Sequence, residues 1–332
     1  MEKKDSTIET LRGIAILLVV VGHVIGSGPD GGMKIDFPSS WRYLYLWIDY
    51  IQLPLFTAIA GWAYAFHPFK EFHFQQFLRK KATRLLLPMV IVGTLYFLTQ
   101  YVVPGTNRKG DLSEIWRIYV FPYTIYWYLP SLFLMSLAMA FLDKIHVAST
   151  FSKWVLCIVV SYFLLLGDIT ILDGRVENYF SFRGAILQMP YFLIGLGIHR
   201  FKKELTIKSV TRTCYLLTLC GILLIQIRWF LPELGTTIHP YFQTAFSMST
   251  CILCLTMHFK NSFFVWIGRY SYAIYLLHVF GTAGGRILTK RVGYSEEWIV
   301  FSISFAVAII FPIVAEKLID RSKIGRLLFF GH

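Results

Sequence analysis

Ten stretches of about twenty predominantly apolar residues follow one another along this chain, at roughly 12–28, 43–66, 85–104, 125–142, 154–172, 180–198, 213–230, 238–258, 267–288 and 297–319. Each has the length of a helix that crosses the hydrocarbon core of a bilayer. In lipid every backbone N–H and C=O must be satisfied within its own segment, so such runs fold as helices. The expected fold is an all-α integral membrane protein with about ten transmembrane helices. Apolar side chains make up 56% of the 332 residues and charged ones only 15%, a balance that a soluble domain of this size could not keep in solution. The longest gaps, 27–42, 67–84 and 105–124, are too short to house a soluble catalytic domain. Residues 1–332 are therefore expected to form a single membrane domain with no appended soluble domain, and any chemistry must lie among the helices. A cleavable signal in the first run is disfavoured, because Gly22-His23 interrupts its apolar core and nine more runs follow.

Orientation follows from the cations. With the N-terminus inside, 21 of the 32 Lys and Arg residues, Lys3, Lys4 and Lys70 among them, fall on inner segments and 11 on outer ones. Both termini are then expected in the cytoplasm, and the chain is expected as a multi-pass protein of the cytoplasmic (plasma) membrane. The net charge of +13 reads as topology and inner-leaflet charge, with no call for nucleic acid. Five cysteines, an odd number, argue against a disulfide framework. Cys251 and Cys254 read as helix packing, and no metal is expected. Gly281-Thr282-Ala283-Gly284-Gly285 should let another helix approach closely. Trp41, Tyr43, Trp154 and Trp298 have the placement of interfacial anchors.

Within the first run, Arg12 and His23 are ionisable residues in an apolar segment, an arrangement that costs a few kcal/mol or more and by default marks a polar cavity. Eleven residues at about 100° each return to within roughly 20° of the starting direction, about 16 Å further along the helix. Arg12 and His23 thus share a face, the first at the cytoplasmic mouth and the second at or beyond mid-membrane. An imidazole with an unperturbed pKa of about 6.5 suits general-base work near neutral pH; the blander reading is a histidine bonded to a nearby carbonyl. The basic run Arg79-Lys80-Lys81-Ala82-Thr83-Arg84 leads into the third apolar run. Lys81 and Arg84 are three apart on one side and could join Arg12 in holding phosphates. In the second run, Asp49 and Gln52 share a face at a depth comparable with His23. Asp49 could fix the His23 tautomer or merely cap, pair or face the outer vestibule. Tyr272, Tyr275 and His278 form a polar stripe in the ninth run, with His278 roughly 13 Å in from its cytoplasmic end, so two histidines can meet. Glu316 could pair with a cation at the inner mouth.

These residues resemble the acyltransferase 3 family of membrane O-acyltransferases, which modify bacterial surface sugars. The resemblance covers nearly the whole chain. It rests on Arg12-Gly13 with His23 ten residues beyond the glycine, on Pro54 to Trp62, on Phe77 to Pro88, on Tyr126-Trp127-Tyr128-Leu129, on Pro190-Tyr191-Phe192-Leu193-Ile194-Gly195, and on Gly268 to His278. Ala60 replaces a usual serine, Lys81 stands where arginine is common, and Gln52 sits where the branch resembling fucose 4-O-acetylases often has histidine. The resemblance implies transfer of an acyl group, usually acetyl, from cytoplasmic acetyl-CoA to a hydroxyl of a surface or lipid-linked glycan in the cell envelope. It further implies His23 as general base or acyl carrier, with Asp49 and His278 assisting. Arg12, Lys81 and Arg84 would hold the donor, and Gln52, Trp127 and Tyr275 would lie on the acceptor side. Partners expected are acyl-CoA, the glycan acceptor and membrane lipids, with a second copy or a separate extracytoplasmic protein as further candidates. A transporter or exporter of polysaccharide intermediates is the rival reading, since a buried Arg and His also suit proton coupling; a scaffold without chemistry is a third.

Overall fold

The computed structural model describes residues 6–28, 30–66, 69, 74–107 and 109–332, with 232–241 as backbone only; Lys3, Lys4 and Lys70 of the charge balance lie outside them. Among the described residues the chain is helical and has no strand. The first half comprises α1 (Ser6–Ile25), α2 (Ser40–Asp49), α3 (Gln52–Phe66), α4 (Phe74–Val102), the short α5 (Arg117–Val120), α6 (Tyr128–Lys144) and α7 (Phe151–Gly167). The second half comprises α8 (Phe182–Arg200), the short α9 (Lys202–Leu205), α10 (Lys208–Phe230), α11 (Pro232–Thr256), α12 (Ser262–Arg269), α13 (Ser271–Arg291), α14 (Glu297–Ile319) and α15 (Lys323–Phe330). Each of the ten apolar runs coincides with one of these helices or with an adjacent pair. Six segments are long and apolar enough to cross a membrane: α1, α2 with α3, α4, α7 with the turn that follows it, α10 and α14.

The second and ninth runs each divide into two helices. The second breaks between Asp49 and Gln52. Pro54 has no N–H to offer the carbonyl of Tyr50, as an uninterrupted helix would require; Ser247 Oγ donates to that carbonyl at 2.6 Å instead. The ninth breaks at Tyr270, where α12 ends and α13 begins.

Packing explains why several of the segments noted above are what they are. A Cβ at Gly61 would fall 1.9 Å from the carbonyl oxygen of Phe192, and one at Gly195 would fall 1.7 Å from that of Ala58. The Pro54–Trp62 and Pro190–Gly195 segments are thus the two halves of one backbone-to-backbone crossing of α3 and α8, and only glycine permits it. On α13, Gly281 and Gly285 lie against α14, where added Cβ atoms would come within 2.5 Å of Ala308 Cα and 2.6 Å of Ser304 Cα, as the small-residue spacing leads one to expect.

The aromatic anchors require correction. Trp41 is 3% exposed and packs against Trp298 and Phe301, with ring centroids 4.4 and 4.5 Å away. Trp154 is equally buried and donates its indole N–H to the Leu193 carbonyl at 2.9 Å. Both indoles find their partners inside the protein, so neither is free to sit among lipid headgroups. Tyr43 is half-buried and donates to Gln226 Oε1 at 2.7 Å. Trp298 keeps most of its surface exposed. Glu316 has no ion-pair partner among the described residues, and its Oε2 is buried without a hydrogen bond.

Candidate functional site

The helix α1 runs without interruption from Ser6 to Ile25, so the eleven residues from Arg12 to His23 span about 16 Å. His23 stands two residues before its end. Arg42 secures that end: it is 2% exposed, and its guanidinium donates to the carbonyls of Gly26 and Ile25. A cation there complements the partial negative charge of the helix C-terminus, and the Tyr45 ring lies 4.9 Å from the Arg42 Cζ.

His23 is exposed, and the surface it exposes lies in a cavity of about 670 Å³. The same cavity is lined by Asp49, Gln52, Trp127 and Tyr275, and by Tyr45, Tyr96, Tyr128 and Arg286. Its walls also include Ser27, Gly28, the Asp30 to Met33 segment, Asn107, Pro122, Thr124 and Ile125, from segments that join helices at the end of α1 nearer His23. Arg12, Lys81 and Arg84 do not line it.

Behind His23 lies His278, fully buried, with ring centroids 5.1 Å apart and planes tilted by 40°. Nδ1 of His278 is 2.8 Å from the Ile274 carbonyl and 2.9 Å from that of Tyr275. Carbonyls only accept, so Nδ1 carries the proton and Nε2 carries a lone pair; Nε2 is buried without a partner. The expected meeting of two histidines is therefore present in the geometry.

Asp49 does not reach His23. Its Oδ1 accepts from Tyr45 Oη at 3.2 Å and from Gln52 Nε2 at 3.3 Å, and it has no ion pair with His23 among the described residues. Gln52 Oε1 is buried and unpartnered. The carboxamide lies against α1 at Gly22, where a Cβ would come within 2.4 Å of Oε1. Proximity to α1, one residue before His23, thus belongs to Gln52, and Asp49 holds Gln52.

The aromatic wall is braced across the molecule. Tyr126 Oη donates to the Leu276 carbonyl at 3.0 Å, and Tyr275 Oη to that of Ile125 at 2.5 Å, so the Tyr126–Leu129 and Gly268–His278 segments are tied to each other. The Thr57 hydroxyl bridges Tyr128 Oη at 3.1 Å and Gln188 Oε1 at 2.9 Å.

Arg12, Lys81 and Arg84 gather at the other end of α1. Arg12 lies within electrostatic reach of Arg84, and Arg84 of Lys81. The Lys81 Nζ sits 5.6 Å from the rings of both Tyr64 and Phe77, and the Arg84 Cζ 5.8 Å from that of Tyr272, whose hydroxyl donates to the Arg84 carbonyl. Arg84 also lines a separate cleft of about 450 Å³ with Arg79, Lys80, Thr83 and His332, so the first two cations of the basic run join a ligand-sized space. Arg12 is not a bare cation: its Nη1 is 2.9 Å from Glu9 Oε1. Glu9 lies one turn earlier on the same helix, just ahead of the first apolar run, where a carboxylate carries no sequence signal. Arg286 carries the same signal that marks Arg12, an arginine inside an apolar run, and the structure adds it to the site. Tyr45 and Tyr96 carry none, because tyrosines in apolar helices are unremarkable until the fold shows which cavity they face; Tyr128 is marked only as part of the Tyr126–Leu129 segment.

Six segments long and apolar enough to cross a membrane, together with a cavity lined by ionisable groups, have the character of a multi-pass membrane protein with a polar internal site. The model of a family described as an acyltransferase domain matches residues 5–317, so the chain belongs to the acyltransferase 3 family and is a multi-pass membrane acyltransferase. No curated protein and no solved structure matches it.

Proposed function

We propose that this protein is an O-acetyltransferase that moves the acetyl group of cytoplasmic acetyl-CoA to a hydroxyl of a surface or lipid-linked glycan, with His23 as general base. The observation that carries the reading is His23 itself. It is an imidazole exposed to a cavity walled by Tyr45, Trp127, Tyr128 and Tyr275 and furnished with the Asp49 and Gln52 side chains. Aromatic faces with planar amide and carboxylate groups suit the apolar and hydroxylated sides of a sugar ring. His278 Nε2, a buried lone pair without a partner beside the His23 ring, is the group that would accept a His23 N–H once the imidazole turns toward it, leaving the other nitrogen as the base.

In the reaction His23 takes the proton of the acceptor hydroxyl as its oxygen forms a bond to the thioester carbonyl carbon. The carbon–sulfur bond then breaks, and the CoA thiolate leaves with the proton returned by the imidazolium. The cluster of Lys81, Arg84 and Arg12 supplies charge for the CoA phosphates; Lys81 serves as a point charge without a fork. On this reading the chain crosses the membrane about ten times, with both termini in the cytoplasm.

Purified protein in nanodiscs, given labelled acetyl-CoA and a glycan acceptor, is expected to release CoA only when the acceptor is present. His23→Ala should lower that rate by about a hundred-fold or more at unchanged membrane abundance. Full activity in His23→Ala removes it from the mechanism, and acceptor movement without CoA release assigns the protein to transport.

A further inference from the structure

Among the described residues, Arg286 is the one Lys or Arg that lines the His23 cavity, and the proposed reaction leaves it unused. It lies on α13 eight residues beyond His278, about 12 Å along the helix, and it is 6% exposed while lining the cavity. Its Nη1 donates to the Gly32 carbonyl at 2.5 Å and its Nη2 to that of Gly105 at 3.1 Å. Among the described residues, no hydrogen bond accounts for its remaining N–H groups. Nor does any carboxylate lie within ion-pair distance. Asp30 and Asp49 line the same cavity, but neither is paired with it. A guanidinium removed from water without a counter-charge is costly, and carbonyl dipoles compensate only part of that cost. A donor without a partner stands nearby: Ser304 Oγ is buried, unbonded and on the wall of this cavity. Ser304 is the residue against which Gly285, the neighbour of Arg286, packs.

We infer that the acceptor carries an oxyanion, a carboxylate or a phosphate, and that Arg286 binds it at the outer part of the cavity while His23 meets the reacting hydroxyl. The planar fork of guanidinium donors matches either oxyanion in bidentate fashion. The interval along α13 places the oxyanion and the reacting hydroxyl on separate groups of the acceptor. This rests on the reading of the cavity as the acceptor site, but it is tested by binding, so it does not depend on turnover.

The experiment measures equilibrium binding to the full-length protein in nanodiscs. The probes are a hexuronic-acid disaccharide, its neutral methyl ester and inorganic pyrophosphate, each with the wild type, Arg286→Gln and Arg286→Lys. The wild type is expected to prefer an oxyanion probe to the neutral ester by about ten-fold or more. Arg286→Gln should lose that preference while still binding the ester, and Arg286→Lys should keep part of it. Whether the carboxylate or the pyrophosphate shows the effect identifies the source of the charge. Equal affinity of the wild type for charged and neutral probes, a preference that survives in Arg286→Gln, or loss of ester and acid binding together in that variant would each overturn the inference. The last outcome would leave Arg286 as a strap between two loops. Acceptor-dependent CoA release, measured separately, decides the acyltransferase reading whatever the binding shows.

Discussion

At the scale of single residues, the fixed environment of His23 depends on a glycine. Gly22 leaves room for the Gln52 carboxamide to lie against α1, and that carboxamide donates to Asp49, which Tyr45 holds in turn. Gly22→Ala would place a methyl group where Gln52 Oε1 now sits and push the amide off Asp49. Displacements of this size near reacting groups cost rate more than stability, so turnover should fall by about ten- to a hundred-fold, with little change in the unfolding midpoint. A lower midpoint at normal turnover would contradict this. Arg12 and His23 were legible in the sequence because an ionisable side chain in an apolar run is expensive wherever it points. The partner of His23 was legible only as a candidate, since spacing gives a face and a depth but not a neighbour. Asp49 had the right depth, and its bonds go to Tyr45 and Gln52 instead.

Among the elements, the crossing of α3 and α8 braces the aromatic wall of the site, through the Thr57 bonds to Tyr128 and Gln188. The family-like runs Pro54–Trp62 and Pro190–Gly195 identified the segments, but their meaning is the contact between them, which no one-dimensional pattern displays. Gly61→Ala would drive a methyl group to within 1.9 Å of a backbone oxygen that cannot move without its helix. The variant should be destabilised by about 1–3 kcal/mol, measured as an earlier unfolding midpoint in detergent, with Thr57, Tyr128 and Gln188 losing their shared hydrogen bonds. An unchanged midpoint would show that the helices are less tightly apposed than described. The break in the second run was visible in principle, since Pro54 stands inside it, but the group that satisfies the freed carbonyl, Ser247, lies 197 positions from Tyr50. Trp41 and Trp154 misled for a similar reason: tryptophan at the end of an apolar run is common at membrane interfaces, and only the fold reveals that these two are covered.

For the molecule as a whole, length and hydropathy decided the class, because ten apolar runs leave little chain for anything else. The arrangement of function is less one-dimensional. The candidate acceptor cavity reaches His23 from one end of α1, whereas Arg12, Lys81 and Arg84 cluster at the other. About 16 Å of helix separates the two, the order of distance a slender thioester arm would have to cover. The central claim is therefore transfer across the membrane at His23, and it is tested most directly in sealed vesicles reconstituted with the protein in its cellular orientation, with labelled acetyl-CoA on the cytoplasmic side and glycan acceptor on the other. The wild type should acetylate the acceptor on the far side, and His23→Ala, inserted to the same level, should not. Equal labelling by both proteins, or none by the wild type with either side supplied, would contradict the account.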